Sequence, residues 1–151
     1  LPLYIGGPTS MGDIDNDGEL EVVFNDWFRI AAIDHDGEAE WIFDIPDYGQ
    51  AFRGAALADV NGDAYTDVTF CSSEGLILSL NGNDGSLIRS IDLESDFGMD
   101  FDAEHGPLVA DFNNDGKADV VAAMASRSHP DRGSVPMASA PATAEVPSTN
   151  R

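Results

Sequence analysis

Three copies of one nine-residue acidic pattern constrain this chain more than anything else in it. They are Asp13-Ile14-Asp15-Asn16-Asp17-Gly18-Glu19-Leu20-Glu21, Asp59-Val60-Asn61-Gly62-Asp63-Ala64-Tyr65-Thr66-Asp67 and Asp111-Phe112-Asn113-Asn114-Asp115-Gly116-Lys117-Ala118-Asp119. Each places a carboxylate or amide at positions 1, 3, 5 and 9. Gly18 and Gly116 stand at position 6, where a positive φ allows a sharp turn. The second copy has Ala64 there, and its glycine is Gly62. Oxygens at alternate positions curl round one hard cation, and the position-7 backbone carbonyl (Glu19, Tyr65, Lys117) adds a further ligand. Calcium suits such a set better than magnesium, which demands stricter geometry and keeps its waters. A single copy reads equally as a solvated turn, because Asp, Asn and Gly are ordinary turn residues. Three copies in register point to metal, with about three calcium ions per chain.

These loops are not EF-hands, which need an acidic residue at position 12 and helices on both sides. Position 12 is Phe24, Phe70 and Ala122. An apolar, β-rich run follows each loop: Leu20 to Phe24, Asp67 to Cys71 and Asp119 to Ala123. Each loop is therefore expected to join two strands.

The three segments resemble FG-GAP (also called VCBS) repeats, the calcium-loop blades of integrin α-subunit β-propellers and of many bacterial surface proteins. The resemblance spans roughly residues 1–126. It implies a loop between the first two strands of each four-stranded blade. It also implies calcium ligands at Asp13, Asp15, Asp17 and Glu21, at Asp59, Asn61, Asp63 and Asp67, and at Asp111, Asn113, Asp115 and Asp119. Two departures stand out: Glu21 in place of aspartate, and Ala64 in place of the loop glycine. The Phe-Gly/Gly-Ala-Pro signature survives only as Gly106-Pro107 and Gly54-Ala55-Ala56.

Strand patterns repeat around the loops. After the first, Phe28–Ile33 and Ala39–Ile45 are expected to pair through Asp34-His35-Asp36-Gly37, Asp-Gly being a strong hairpin signal. This outer half, with Gly37 and Trp41, also looks like quinoprotein-type propeller repeats in architecture. In the second unit Phe52–Leu57 leads into the loop, and Leu76–Leu80 pairs with Leu87–Ile91 through Asn81-Gly82-Asn83-Asp84-Gly85. The third opens with His105-Gly106-Pro107-Leu108-Val109-Ala110. Loop starts at 13, 59 and 111 give a period of about 50 residues, the length of a four-stranded blade. The expected architecture is all-β: a partial β-propeller of two complete blades (3–45 and 51–93) and the first half of a third (102–126). Residues 127–151, rich in Pro, Ala, Ser and Thr, lack the apolar content to fold alone. They read as a linker, a glycosylated stalk or an extended arm.

Composition narrows the partners. The 151 residues carry 28 acids against seven bases, a net charge of −21. Three calcium ions would leave about −15, still a solvated acidic surface. That balance argues against nucleic acid, which needs a basic face, and against anionic membrane surfaces. No apolar run reaches membrane-spanning length. The single cysteine, Cys71, forms no intramolecular disulfide and reads as core. Weak calcium loops suit the high ambient ion outside cells, so a secreted or cell-surface location is expected. Two and a half blades leave sheet edges open to another chain. Three explanations compete: a fragment of a larger propeller, assembly with copies of itself as an oligomer or filament, or a complete open module. A tail of this kind suits strand addition to a neighbour.

No catalytic constellation is visible. His35 lies in a hairpin turn, His129 in the tail, and His105 beside Asp102 and Glu104. No serine or cysteine has a recognisable base beside it. Trp27, Phe28, Trp41, Tyr48 and Phe52 read either as core or as a glycan-binding surface. The expected function is a non-catalytic, extracellular, calcium-binding structural module that assembles with itself. A truncated adhesion or glycan-binding propeller is the alternative, and a propeller-type hydrolase or lyase a distant third.

Overall fold

The computed structural model describes residues 6–45, 49–51, 53–98, 101–103 and 105–126. The first residues of the expected first blade (3–5), the aromatics Tyr48 and Phe52, Glu104, His129 and the whole tail lie outside these residues.

Within them the chain is all-β apart from one short helix. Strands β1 (Ser10–Gly12), β2 (Glu21–Asn25), β3 (Arg29–Ile33) and β4 (Ala39–Asp44) form an antiparallel sheet in chain order. Strands β5 (Ala56–Ala58), β6 (Asp67–Cys71), β7 (Leu76–Leu80) and β8 (Leu87–Asp92) form a second sheet of the same order. Helix α1 (Leu93–Phe97) follows β8 directly; its start is capped by Asp92, whose carboxylate accepts from the N–H groups of Glu94 and Ser95. This helix has no counterpart in the sequence expectations. Strands β10 (Leu108–Ala110) and β11 (Asp119–Val121) form a two-stranded sheet, and β9 (Phe101–Ala103) pairs with β12 (Met124–Ser126).

The third unit thus differs from its expected form. The run Asp119 to Ala123 is expected to follow its loop as one strand, but β11 ends at Val121 and a second short strand begins at Met124. The two arms therefore pair twice. The ladder sets Ala110 opposite Asp119 in one stretch and Ala103 opposite Met124 in the next.

Residue alternation explains the layering. In β6 and β7 every residue is buried, which marks a central position covered on both faces. One face of this sheet presents Val68, Phe70, Leu78 and Leu80, which pack against Ile14, Val23, Ala32 and Trp41 of the first unit. Phe43 meets Phe70 edge-on, with ring centroids 6.5 Å apart. Cys71 and Ile77 pack on the opposite side against Val120, Ala122 and Met124 of the third unit. On that same face the Thr69 and Ser79 hydroxyls, directly opposite in the ladder, bond at 2.9 Å and satisfy each other inside the protein. The outer strands β4 and β8 are mostly exposed, as their charged residues require.

Trp41 is core, not surface. Its ring lies against Gly85, where a Cβ would come within 2.7 Å of the indole. Its Nε1 donates to the Gly82 carbonyl at 2.6 Å. Trp27 and Phe28, in contrast, are exposed.

Candidate metal centre

All three acidic loops take one backbone path. Each leaves the last residue of a unit's first strand and returns at the first residue of its second. Position 9 therefore sits directly across the ladder from the loop's predecessor: Gly12 faces Glu21, Ala58 faces Asp67 and Ala110 faces Asp119. Two residues of each loop are left-handed. At position 4 they are Asn16 (φ 64°), Gly62 (φ 85°) and Asn114 (φ 61°), and at position 6 Gly18 (φ 94°), Ala64 (φ 72°) and Gly116 (φ 86°). The missing glycine of the second loop changes nothing in its path. Ala64 takes the positive φ, at a steric cost of about 1 kcal/mol, and Gly62 takes the role that asparagine fills elsewhere.

Side chains fix that path by accepting from backbone N–H groups. The position-9 carboxylate accepts from position 2: Ile14 N to Glu21 (2.8 Å), Val60 N to Asp67 (2.9 Å), Phe112 N to Asp119 (3.0 Å). The position-1 aspartate accepts from position 6: Gly18 N to Asp13 (3.2 Å), Ala64 N to Asp59 (2.9 Å), Gly116 N to Asp111 (2.8 Å). Position 3 accepts from position 5, through Asp15, Asn61 and Asn113. Position 5 accepts from position 7, so Asp17, Asp63 and Asp115 hold the N–H groups of Glu19, Tyr65 and Lys117. Every expected ligand takes part in this scheme.

One oxygen of several carboxylates is spent on the backbone, and the other is not. Asp13 Oδ1, Glu21 Oε1 and Asp67 Oδ1 are buried without a hydrogen-bond partner among the described residues, and such atoms are costly unless something else satisfies them. Carboxylate oxygens of Asp13, Asp15 and Glu21 lie within 4.8 Å of one another. At an effective dielectric of about 20, two like charges at this separation repel by roughly 3 kcal/mol. The arrangement invites a cation or protons. Loops two and three have asparagine at position 3, and no such carboxylate trio forms there among the described residues. Instead the Asn61 amide donates to Asp63 (2.9 Å) and the Asn113 amide to Asp115 (3.3 Å).

The charge crowding appears in the titration behaviour. Burial pushes Glu21 upward, the Ile14 N–H opposes this, and repulsion from Asp15, Asp17 and Asp13 adds to it. Burial likewise raises Asp67, against the pull of the Val60 N–H. Asp59 also loses solvent, but four backbone N–H groups outweigh that and hold it low.

Sequence reasoning missed Glu40. It lies on β4, far from the loop in sequence; although exposed, it loses part of its water beside the loop, and this together with the charges of Asp15, Glu21 and Asp34 pushes it up to about 7. His35 also approaches loop one. Its ring forms a cluster with Asp34 and Asp17, and its hydrogen bond to Asp34 raises its basicity. Only the hairpin turn signal at Asp34–Gly37 hinted at this proximity. Loops one and two touch directly, the Asn16 amide donating to the Ala64 carbonyl at 3.1 Å.

Together these features define an all-β protein whose β1–β4, β5–β8 and β10–β11 sheets each carry an acidic corner between their first two strands. Residues 59–122 match the model of the FG-GAP-like repeat family. The match runs from the first residue of loop two to just beyond β11. No curated protein matches the chain.

Proposed function

We propose that this chain is a non-catalytic, calcium-stabilised module of the β-propeller type, with residues 1–126 as its blades and 127–151 as an extended tail. The two four-stranded sheets correspond to two blades, and the β10–β11 pair to the opening of a third. Calcium would be held in loop one by Asp13, Asp15, Asp17 and Glu21. Asp59, Asn61, Asp63 and Asp67 would hold it in loop two, and Asp111, Asn113, Asp115 and Asp119 in loop three. Carbonyls at Glu19, Tyr65 and Lys117 would complete the sets. The observation that carries this reading is the group of buried carboxylate oxygens at Asp13, Glu21 and Asp67 that no protein donor satisfies. A bound calcium ion supplies positive charge there and offsets the repulsion among the carboxylates. The protein's own part is to pre-set the corners through the repeated N–H bonds, so that little order remains to be imposed on binding.

The location that suits such sites is extracellular, where calcium is plentiful. Among the described residues strand β11 has only β10 beside it, whereas β2 and β6 each have two neighbours. This open edge favours addition of strands, either from copies of the same chain in an oligomer or filament, or from the remainder of a longer propeller. A hydrolase or lyase has less support. Cys71 is buried with its thiol pushed up to about 12, and His35 and His105 lie on the surface.

Calorimetric titration of metal-free protein with calcium tests the core of the proposal. Saturable binding near three ions per chain, with magnesium much weaker, is expected. No heat and no change in melting would refute it. Electron microscopy in calcium and after chelation separates ring, filament and monomer.

A further inference from the structure

Loop one differs from its two counterparts in charge. At positions 1, 3, 5 and 9 it offers four carboxylates, Asp13, Asp15, Asp17 and Glu21. Loops two and three have asparagine at position 3 and offer three each. Only loop one gathers a carboxylate trio among the described residues, from Asp13, Asp15 and Glu21. Within that trio Glu21 is fully buried, and its Oε1 meets no donor among the described residues.

A second difference arrives from the far side of the sheet. The outer hairpins of the first two units share one irregularity. In the first, Ile33 faces Ala39 and the next pair is Ala32 with Trp41, so Glu40 is the extra residue. In the second, Leu80 faces Leu87 and the next pair is Ser79 with Arg89, so Ile88 is the extra residue. Each is a β-bulge, a device that re-aims a side chain out of the alternation of its strand. Glu40 and Ile88 are therefore equivalent positions, and both approach the loop of their own unit. Ile88 lines a cavity together with Asp59, Val60 and Asn61, the first three residues of loop two. The Glu40 carboxyl makes a side-chain hydrogen bond with Asp15, the third residue of loop one, and lies in the field of Glu21 as well. Two carboxyl groups in such contact need a proton or a cation between them. The fold does not require an acid at this place, because the second unit is built with isoleucine there.

We propose that Glu40 is a fifth carboxylate ligand of the loop-one ion, and that loop one is in consequence the tightest of the three calcium sites. The inference rests on the calcium binding proposed above. Calcium takes about six to eight oxygens in a flexible arrangement, so a ligand from outside the loop is compatible with it. Affinity in such sites is tuned by the number of charged ligands. Loop one with Glu40 brings five carboxylates to its ion, against three in each of the other loops. The ion would also tie β4 to the corner between β1 and β2, at opposite edges of one sheet. The nine-residue pattern alone supplies no such link.

The test is calorimetric titration of the metal-free chain with calcium chloride at fixed pH and salt. One tight ion resolved from two weaker ones is expected. Glu40→Gln should weaken the tight step by about 10- to 100-fold and leave the other two unchanged. Ile88→Glu, which copies the first unit into the second, should tighten one of the weaker steps. Circular dichroism checks that each variant is folded, and if one is not, the other decides. Three equal sites in the parent, a Glu40→Gln titration that matches the parent, or an Ile88→Glu titration with no tighter second step overturns this proposal and leaves calcium binding itself standing. No binding at any site overturns both.

Discussion

Replacing Gly82 with alanine should damage this protein more than any change to a loop glycine. Gly82 does not need a positive φ, so alanine costs nothing in backbone conformation. It costs everything in space. An added Cβ would lie 2.0 Å from the Thr66 carbonyl oxygen and 2.8 Å from that of Ile14. Both contacts are backbone, at the inner ends of loops two and one, and neither can rotate away. Ordinary contact requires the corner to open by more than 1 Å, and overpacking of this kind costs about 1–3 kcal/mol. The same movement pulls the Gly82 carbonyl from Trp41 Nε1, which is buried. An unpaired buried donor adds about 1–3 kcal/mol. A total near 4 kcal/mol lowers the melting temperature by about 10 °C at this chain length.

Gly62→Ala is the matched control. Nothing lies within 4 Å of its Cβ, but its φ is 85°. It should lose only the left-handed penalty of about 1 kcal/mol, or about 3 °C. Thermal unfolding followed by circular dichroism, in calcium for both variants, gives the comparison. If Gly82→Ala melts with the parent, or if Gly62→Ala melts below Gly82→Ala, the close approach of the two loops to Gly82 is wrong.

Ala64→Gly should stabilise the chain by about 1 kcal/mol, because glycine takes φ 72° without strain; a lower melting temperature would contradict the shared loop path. Chelation should lower the melting temperature steeply, since each site at a hundredfold excess of ion over Kd adds about 2.7 kcal/mol. Asp67→Asn should remove only part of that gain, and a melt indifferent to calcium would refute the metal reading. Burial pushes the Cys71 thiol from 9.0 up to about 12, so the unfolded chain ionises first as pH rises. The Cys71 contribution to stability is then flat below pH 9 and falls between about 9 and 12, by up to about 1.4 kcal/mol per pH unit. The slope should flatten in Cys71→Ala, and thiol reagents should label Cys71 only as fast as the protein opens; a parent slope equal to that of the variant would refute it.

What the sequence disclosed and what it withheld separate along a physical line. The loops were legible because their geometry is local. Each ligand bonds a backbone group two to seven residues away, so a fixed spacing specifies the whole corner. Even Ala64, an apparent defect, fits once Gly62 is seen at the other left-handed position. The second to fourth strands of the first two units were legible for the same reason, with alternation and hairpin turns setting β3 to β4 and β7 to β8. Glu40 was hidden because β4 carries it back to loop one across two other strands. The β9–β12 pairing was hidden because Phe101–Ala103 and Met124–Ser126 are far apart in sequence and short in pattern. Trp27 was ambiguous for a different reason. Its composition fits a strand, and nothing in the sequence shows that a γ-turn rotates it out of the core while Trp41, of equal hydrophobicity, turns in to meet Gly82 and Gly85. That choice is made by glycines: Gly85 leaves room beneath one indole, and Gly6 backs the other without enclosing it. Substituting either glycine should therefore displace one tryptophan's emission and leave the other's unchanged.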